Sequence, residues 1–168
     1  MNHSEATQWI DAQVQAQLRV DRLNAAYARC IDGDKLEAWP DFFAADCLYT
    51  VTSDDNHRRG FEGGIIYADT IGMLKDRVSG LREANIYERQ SYRHIIGPAS
   101  VLALTDTTIE AEAPFVVYRI MRTGGTALFV TGRYVDKLLF KDTGELAIAE
   151  RRVVCDSSTF DTLLAIPL

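Results

Sequence analysis

The chain has 168 residues, of which 47% are hydrophobic and 25% charged, and its formal net charge is −6; this length fits one domain with a core of its own. The negative charge, without a long run of lysine or arginine, argues against binding to nucleic acid or to an anionic membrane surface. No stretch approaches the ~20 apolar residues of a membrane helix, and the polar N-terminus does not resemble a signal peptide, so we expect a cytoplasmic protein.

The first part of the chain predicts one long helix over residues 7–31. Ile10, Val14 and Leu18 recur at a spacing of four, and the apolar stripe continues to residue 31. Gly33 follows directly and is expected to end the helix.

Shorter elements are predicted next. Asp34 and Glu37 have the spacing of a capping box, which favours a second helix, and Pro40 interrupts it. Residues 47–52 alternate and are rich in β-branched side chains, which indicates a short strand. A polar loop with several glycines then leads to a third predicted helix over residues 66–81.

After residue 91 the periodicity changes to that of strands. Four long strands are predicted over residues 92–104, 107–122, 126–140 and 145–157, with Gly124–Gly125 as a hairpin turn. Successive strands joined by tight turns form an antiparallel meander.

The strand over residues 107–122 is apolar on one whole face and on part of the other. The second face begins with glutamates but ends with Val116, Tyr118 and Ile120. Burial on both sides requires either a partner against the outer face or a tightly curled sheet.

These elements predict an α+β fold, with helices in the concavity of a long curved antiparallel sheet. Cystatin-like and nuclear-transport-factor-like domains share this cone-shaped roll. We expect a single domain: 1–18 extends the first helix, 19–91 is mainly helical, 92–160 forms the sheet, and 161–168 is a C-terminal tail.

The sequence lacks the common signatures of metal and nucleotide sites. It contains no CxxC, no two histidines at ligand spacing, no GxSxG and no phosphate-binding glycine loop. The chain has three cysteines and three histidines, Cys30, Cys47, Cys155, His3, His57 and His94. We therefore expect buried structural thiols and no metal, cofactor or catalytic site wholly on this chain.

An acid–base site inside the cone is the alternative, because burial shifts a carboxyl pKa towards the catalytic range. The inward-pointing candidates are Tyr27, Asp46, Tyr49, His94 and Asp136. His94 is expected instead to be a hydrogen-bonded structural or interface residue. Asp136 is expected to share a strand face with Leu128, Val130, Tyr134, Leu138 and Phe140. It is expected to pair with an arginine such as Arg93, Arg133 or Arg152 at an end or edge of the sheet.

Arginines recur in the otherwise apolar strands: Arg93, Arg119, Arg133, Arg151 and Arg152. Arginine is favoured at interfaces because its planar group makes paired hydrogen bonds; the alternative is a solvated sheet face. The expected interface or sheet-end contacts are Arg93, His94, Arg119, Arg133 and Asp136.

Three stretches resemble the β subunits of aromatic-ring-hydroxylating dioxygenases. They are LNAAYARCIDGDKLEAWPDFFAADCLY, GMLKDRVSGLREANIYERQSYRHIIG, and FVTGRYVDKLLF together with ERRVVCDSSTFDTLLAIPL. Their order and spacing cover nearly everything after residue 18. Within the family, the segments DNH, IYAD, LREANIYER, VCDSS and DTLLAIPL are most similar to small subunits of terephthalate dioxygenases, and less so to those of salicylate and benzoate-type enzymes.

This resemblance implies a non-catalytic subunit that assembles with large α subunits, commonly three of each. The α subunit would carry a Rieske [2Fe–2S] cluster and a mononuclear non-haem iron, and a separate reductase would transiently deliver electrons from NAD(P)H. The ligand count agrees, since three unpaired histidines and three scattered cysteines do not supply either centre. The alternatives are a free-standing dehydratase or isomerase of the same fold, and a ligand-binding module.

Overall fold

The computed structural model describes residues 3–83, 90–160 and 164–168. The helices are α1 (His3–Asp32), a 3₁₀ helix (Leu36–Phe42), α2 (Asp54–Arg58) and α3 (Ile71–Glu83). The strands are β1 (Phe43–Ser53), β2 (Ile66–Ala68), β3 (Gln90–Ile96), β4 (Ser100–Leu104), β5 (Thr108–Met121), β6 (Thr126–Phe140) and β7 (Leu146–Cys155). Within the described residues, no helix combines the length and apolar character that crossing a membrane requires.

All seven strands form one sheet in the order β2-β1-β7-β6-β5-β3, and β4 also pairs with β5. The predicted meander is present in β5, β6 and β7, which pair antiparallel. One junction departs from it, because β1 pairs parallel with β7. Parallel pairing needs a long crossover, and the many residues between these two strands provide it.

Helix α1 is buried along a different face from the one that its first apolar residues indicate. Ala16, Val20, Tyr27 and Ile31 lie in the core, whereas the predicted stripe of Ile10, Val14 and Leu18 is exposed. The buried residues occupy one side of a 3.6-residue helix, and the exposed stripe is offset from it.

The predicted capping box at Asp34 and Glu37 is wrong. Asp34 has a left-handed backbone, with φ of 55°, and the 3₁₀ helix starts after Lys35. Both carboxylates instead bind Arg82 of α3, each at 2.7 Å. Tertiary ion pairing has therefore replaced the local capping that the spacing indicated.

The third predicted helix starts too early, and one predicted strand is divided. Residues 66–68 pair with β1 as β2, and α3 follows Thr70, whose hydroxyl accepts a hydrogen bond from the Met73 amide at 3.2 Å. The predicted strand over 92–104 breaks into β3 and β4 at Gly97 and Pro98, because proline cannot donate to the ladder.

The inner face of β5 forms part of the core, as its alternation predicted. Ile109, Ala111, Ala113, Phe115 and Val117 are at most 2% exposed. On the opposite face Val116 and Ile120 are half-buried and Tyr118 is exposed. The chain therefore buries the inner face of this strand from Ile109 to Val117 and leaves the apolar part of the other face partly exposed.

Candidate functional site: the cone interior and the outer sheet face

A buried ion pair lies inside the cone. Arg151 of β7 and Asp136 of β6 are opposite each other in the strand register, and their side chains are 0% and 1% exposed. Arg151 donates through Nε to Oδ1 at 2.9 Å and through Nη2 to Oδ2 at 2.6 Å. Nη2 also donates to Asn24 Oδ1 at 2.6 Å, which ties α1 to the pair.

Two aromatic rings enclose the guanidinium. Its carbon lies 4.3 Å from the ring centroid of Tyr27 and 4.2 Å from that of Tyr134, a cation–π arrangement that is strongest when water is excluded. Burial lowers the pKa of Arg151, but the charge and hydrogen bonds of Asp136 more than offset it, so the pKa is raised overall. The pair is a charge-neutral unit of the core.

The structure corrects the predicted partner of Asp136. It pairs with Arg151. Of the predicted partners, Arg93 lies 3.6 Å from Asp32, Arg133 binds Asp54 and Arg152 binds Glu150. The register places Arg151 directly across from Asp136 on the inner face. Because Asp136 is enclosed within the chain, its side chain is not available at a surface, contrary to its expected role in an interface.

A second polar contact joins α1 to β3. Asp32 accepts a hydrogen bond from the His94 amide at 3.0 Å, and its other oxygen lies 2.7 Å from His94 Nδ1. The His94 side chain is 0% exposed and that of Asp32 is 6% exposed. This places the His94 imidazole in the interior, where it fixes the end of the helix to the sheet.

The other inward candidates divide into two groups. Tyr27 and Tyr49 are fully buried, and both hydroxyls lie against Leu168, at 2.8 and 3.3 Å from its oxygen. Burial raises the pKa of both tyrosines, so they are protonated hydrogen-bond donors at neutral pH. Asp46 is exposed, and its inward placement was wrong.

The sequence did not indicate the roles of Asn24 and Asp32, or that Arg151 lies at the centre of the buried polar contacts. A signal for Arg151 was present, since it shares strand parity with Val153 and Cys155, both of which are fully buried. An arginine at a core-facing position of a strand demands a buried carboxylate. The two α1 residues carried no comparable local signal.

An apolar patch lies on the outer face of the sheet. We define the outer patch as Arg93, Ile95, Tyr118 and Leu128, whose positions on β3, β5 and β6 are adjacent. Ile95 is 56% exposed, Leu128 59% and Tyr118 36%, and the Arg93 side chain is 64% exposed. Exposed apolar surface next to arginine is typical of protein interfaces.

Leu128 reaches the outer patch through a β-bulge. The register between β5 and β6 shifts after Val117 and pairs Tyr118 with Leu128. The extra residue, Phe129, packs against Tyr92 with ring centroids 5.1 Å apart, and Arg119 stacks on it at 5.3 Å. The prediction that Leu128 shares the face of Asp136 was therefore wrong, because a bulge reverses side-chain alternation.

Among residues 3–83, 90–160 and 164–168, no group of three histidine, cysteine or acidic side chains is arranged to hold a metal ion. The three cysteines are free and buried. Burial raises the pKa of the Cys155 thiol to about 12, which opposes the thiolate form that metal ligation requires. The described residues therefore do not fit an iron–sulfur centre.

Comparison with known proteins gives concordant matches. The family model for the ring-hydroxylating β subunit matches residues 26–162. The β2 subunit of the terminal oxygenase component of terephthalate 1,2-dioxygenase from Comamonas sp. is 51% identical over 152 residues, which cover 90% of this chain and 98% of that protein.

Solved structures agree on the fold. A chain from Novosphingobium aromaticivorans, assigned as the β subunit of an aromatic-ring-hydroxylating dioxygenase, superposes with a TM-score of 0.84 at 39% identity and covers 94% of this chain and 99% of that one. A protein from the same organism, assigned as a scytalone dehydratase, matches at 0.70 with 14% identity and covers 94% and 95%. This second likeness shows only that the α+β cone is shared, as the sequence predicted.

Proposed function

The chain belongs to the β subunits of ring-hydroxylating dioxygenases, and from that premise we propose that it is the small subunit of a terephthalate 1,2-dioxygenase and carries no catalytic residue. Its membership in an oxidoreductase complex follows from the family match over residues 26–162. The choice of terephthalate is supported by the 51% identity with the Comamonas subunit.

The observation that carries the non-catalytic role is that four polar side chains in the core of the cone already have partners within the chain. Arg151 and Asp136 neutralise each other there, and the hydroxyls of Tyr27 and Tyr49 are engaged by Leu168. A catalytic acid or base must reach a substrate within hydrogen-bond distance. These groups are instead bound to one another and to the chain, which supports a structural role for this subunit.

The redox chemistry is proposed to reside on a large α subunit. That partner would hold the Rieske [2Fe–2S] cluster and the mononuclear non-haem iron, and would receive electrons from NAD(P)H through a reductase. In the part of the chain that the structure describes, the histidine, cysteine and acidic side chains form no group that would fit either centre, which supports this proposal. We propose a complex of three large and three small subunits, in which the outer patch, including Arg93, is a subunit contact.

Co-expression with the large oxygenase subunit from the same organism tests this function. We expect a coloured, iron-containing complex of three large and three small chains that oxidises terephthalate when supplied with reductase and NAD(P)H, while the small chain alone is colourless. Turnover of salicylate or benzoate but not terephthalate would favour the alternative ring hydroxylases. Turnover of any substrate by the isolated small chain would contradict a structural role and favour a dehydratase or isomerase.

A further inference from the structure

The interior of the cone contains the last residues of the chain. Residues Leu164, Ile166 and Leu168 are 7%, 7% and 0% exposed, although the segment 164–168 belongs to no helix or strand. An irregular segment is normally at the surface, because its backbone polar groups need partners. Its burial therefore requires that the surrounding elements supply those partners.

Three different elements hold the backbone of this segment. Tyr27 of α1 donates to the Leu168 oxygen at 2.8 Å, and Tyr49 of β1 donates to the same oxygen at 3.3 Å. The Tyr49 hydroxyl also accepts from the Leu168 amide at 3.1 Å. Arg77 of α3 donates to the carbonyl oxygens of Leu164 and Ala165 at 3.4 and 3.5 Å.

We infer that the cone is a binding site for a short apolar peptide, and that the segment 164–168, which we call the tail, occupies it as an intramolecular ligand. The site has an apolar wall and a few convergent polar groups, the composition typical of ligand pockets. The polar groups contact the backbone of the tail, and its alternate side chains, Leu164, Ile166 and Leu168, pack within the apolar core. The tail thereby occupies the space next to Tyr27 and Tyr49.

The contacts also explain why loss of the tail from the cone is unfavourable. Removing it leaves the Tyr27 and Tyr49 hydroxyls buried without their partners and opens an apolar cavity where Leu164, Ile166 and Leu168 lay. Both changes are unfavourable, and a segment of the same chemistry supplied from outside reverses both. This inference is independent of which aromatic substrate the large subunit oxidises.

A chain ending at residue 163 and a fluorescent peptide of sequence LAIPL provide the first test. We expect saturable binding of the peptide to the truncated chain and no binding to the full chain, whose site is occupied. Tyr49→Phe in the truncated chain should weaken binding at least about fivefold, because the hydroxyl makes two hydrogen bonds to Leu168. Tyr67→Phe is the matched control, since that hydroxyl is exposed and contacts Asp69.

Hydrogen exchange on the full chain keeps the inference testable if the truncated chain does not fold. We expect the amide of Leu168 to be protected, and Tyr49→Phe to accelerate its exchange at least about tenfold through loss of the acceptor, while amides of β6 remain unchanged. Exchange of the tail at the rate of an unstructured peptide in the unaltered chain would overturn the inference. Equal binding of LAIPL and a scrambled peptide would do the same.

Discussion

Arg151 is fully buried, and its charge is compensated within the chain by Asp136. Taking a guanidinium out of water is costly, and the attraction of its partner repays this cost only while the carboxylate is present. The two residues are consequently coupled: the effect of changing one depends on the presence of the other.

Asp136→Asn is expected to lower the free energy of unfolding by about 3–5 kcal/mol, because it leaves a buried charge without a counterion. Urea unfolding followed by circular dichroism measures this. Replacing both residues, with Asp136→Leu and Arg151→Met, should recover most of the loss. Glu110→Gln, at an exposed position of β5, is the control, and its free energy of unfolding should stay within about 0.5 kcal/mol of that of the unaltered chain. An equal loss of stability in Asp136→Asn and Glu110→Gln would contradict the buried pair.

Alkaline pH is expected to destabilise the fold through buried groups that must remain protonated. Burial raises the pKa of Cys155 from 9.0 to about 12. Between these values the unfolded chain releases the thiol proton and the folded chain keeps it, so stability falls as pH rises, by about 1.4 kcal/mol per pH unit for one such group. Below pH 9 this contribution is constant.

The measurement is urea unfolding from pH 8 to pH 11 under reducing conditions. Cys155→Ala should make the decrease of stability with pH less steep. The decrease that remains is attributed to Tyr49 and Tyr134, whose pKa values burial also raises. Identical slopes in the variant and the unaltered chain would show that Cys155 does not keep its proton in this range.

At the residue level, the sequence indicated which side chains are unusual but not which ones meet. Arginines in apolar strands were recognisable, yet the partner of Asp136 depends on the register between β6 and β7. A single strand does not specify its register against a neighbour that is also apolar on the same face. The Asp32–His94 contact similarly depends on where α1 ends against β3.

At the level of elements, Gly132 is required by the close packing of β6 against β7. A Cβ atom at this position would lie 2.2 Å from the Val154 carbonyl oxygen and 3.0 Å from the Phe115 ring. Gly132→Ala should therefore lower the free energy of unfolding by about 1–3 kcal/mol, the range for overpacking.

Gly125→Ala is the matched control for this prediction. A Cβ atom at Gly125 has no neighbouring atom within 4 Å, so thermal unfolding should be nearly unchanged. If the Gly132 variant melted at the same temperature as the control, the spacing of β6 and β7 around this residue would be looser than the structure indicates.

The long strands were predictable because alternation over more than ten residues is a strong signal. Local irregularities were not: the bulge at Phe129 and the break at Gly97 and Pro98 depend on contacts across the sheet. The parallel placement of β1 was also outside local pattern, since a short alternating segment is compatible with either orientation.

At the level of the whole molecule, the outer patch is expected to determine assembly without contributing to the fold. Tyr118→Ser combined with Leu128→Ser should reduce the amount of large subunit that co-purifies, because apolar anchors carry much of the energy of an interface. Unfolding of the isolated small chain should change by less than about 0.5 kcal/mol per substitution.

Ile10→Ser is the control, because Ile10 is as exposed as Leu128 but lies on α1. Size-exclusion chromatography with light scattering distinguishes the outcomes. Unchanged complex mass and yield in the patch variant would exclude this face as a subunit contact, and loss of assembly in the Ile10 variant would place the contact on the helix instead.

The parallel junction of β1 and β7 has a consequence for the synthesis of the protein. Tyr49 aligns with Arg151, so β1 leaves the ribosome about a hundred residues before its neighbour exists. At translation rates of ~5–20 residues per second, this delay is roughly 5–20 s. During that interval the edge of β1 that later pairs with β7 has no strand partner. An unpaired strand edge promotes association with other chains, so the nascent chain is most vulnerable to self-association at this stage.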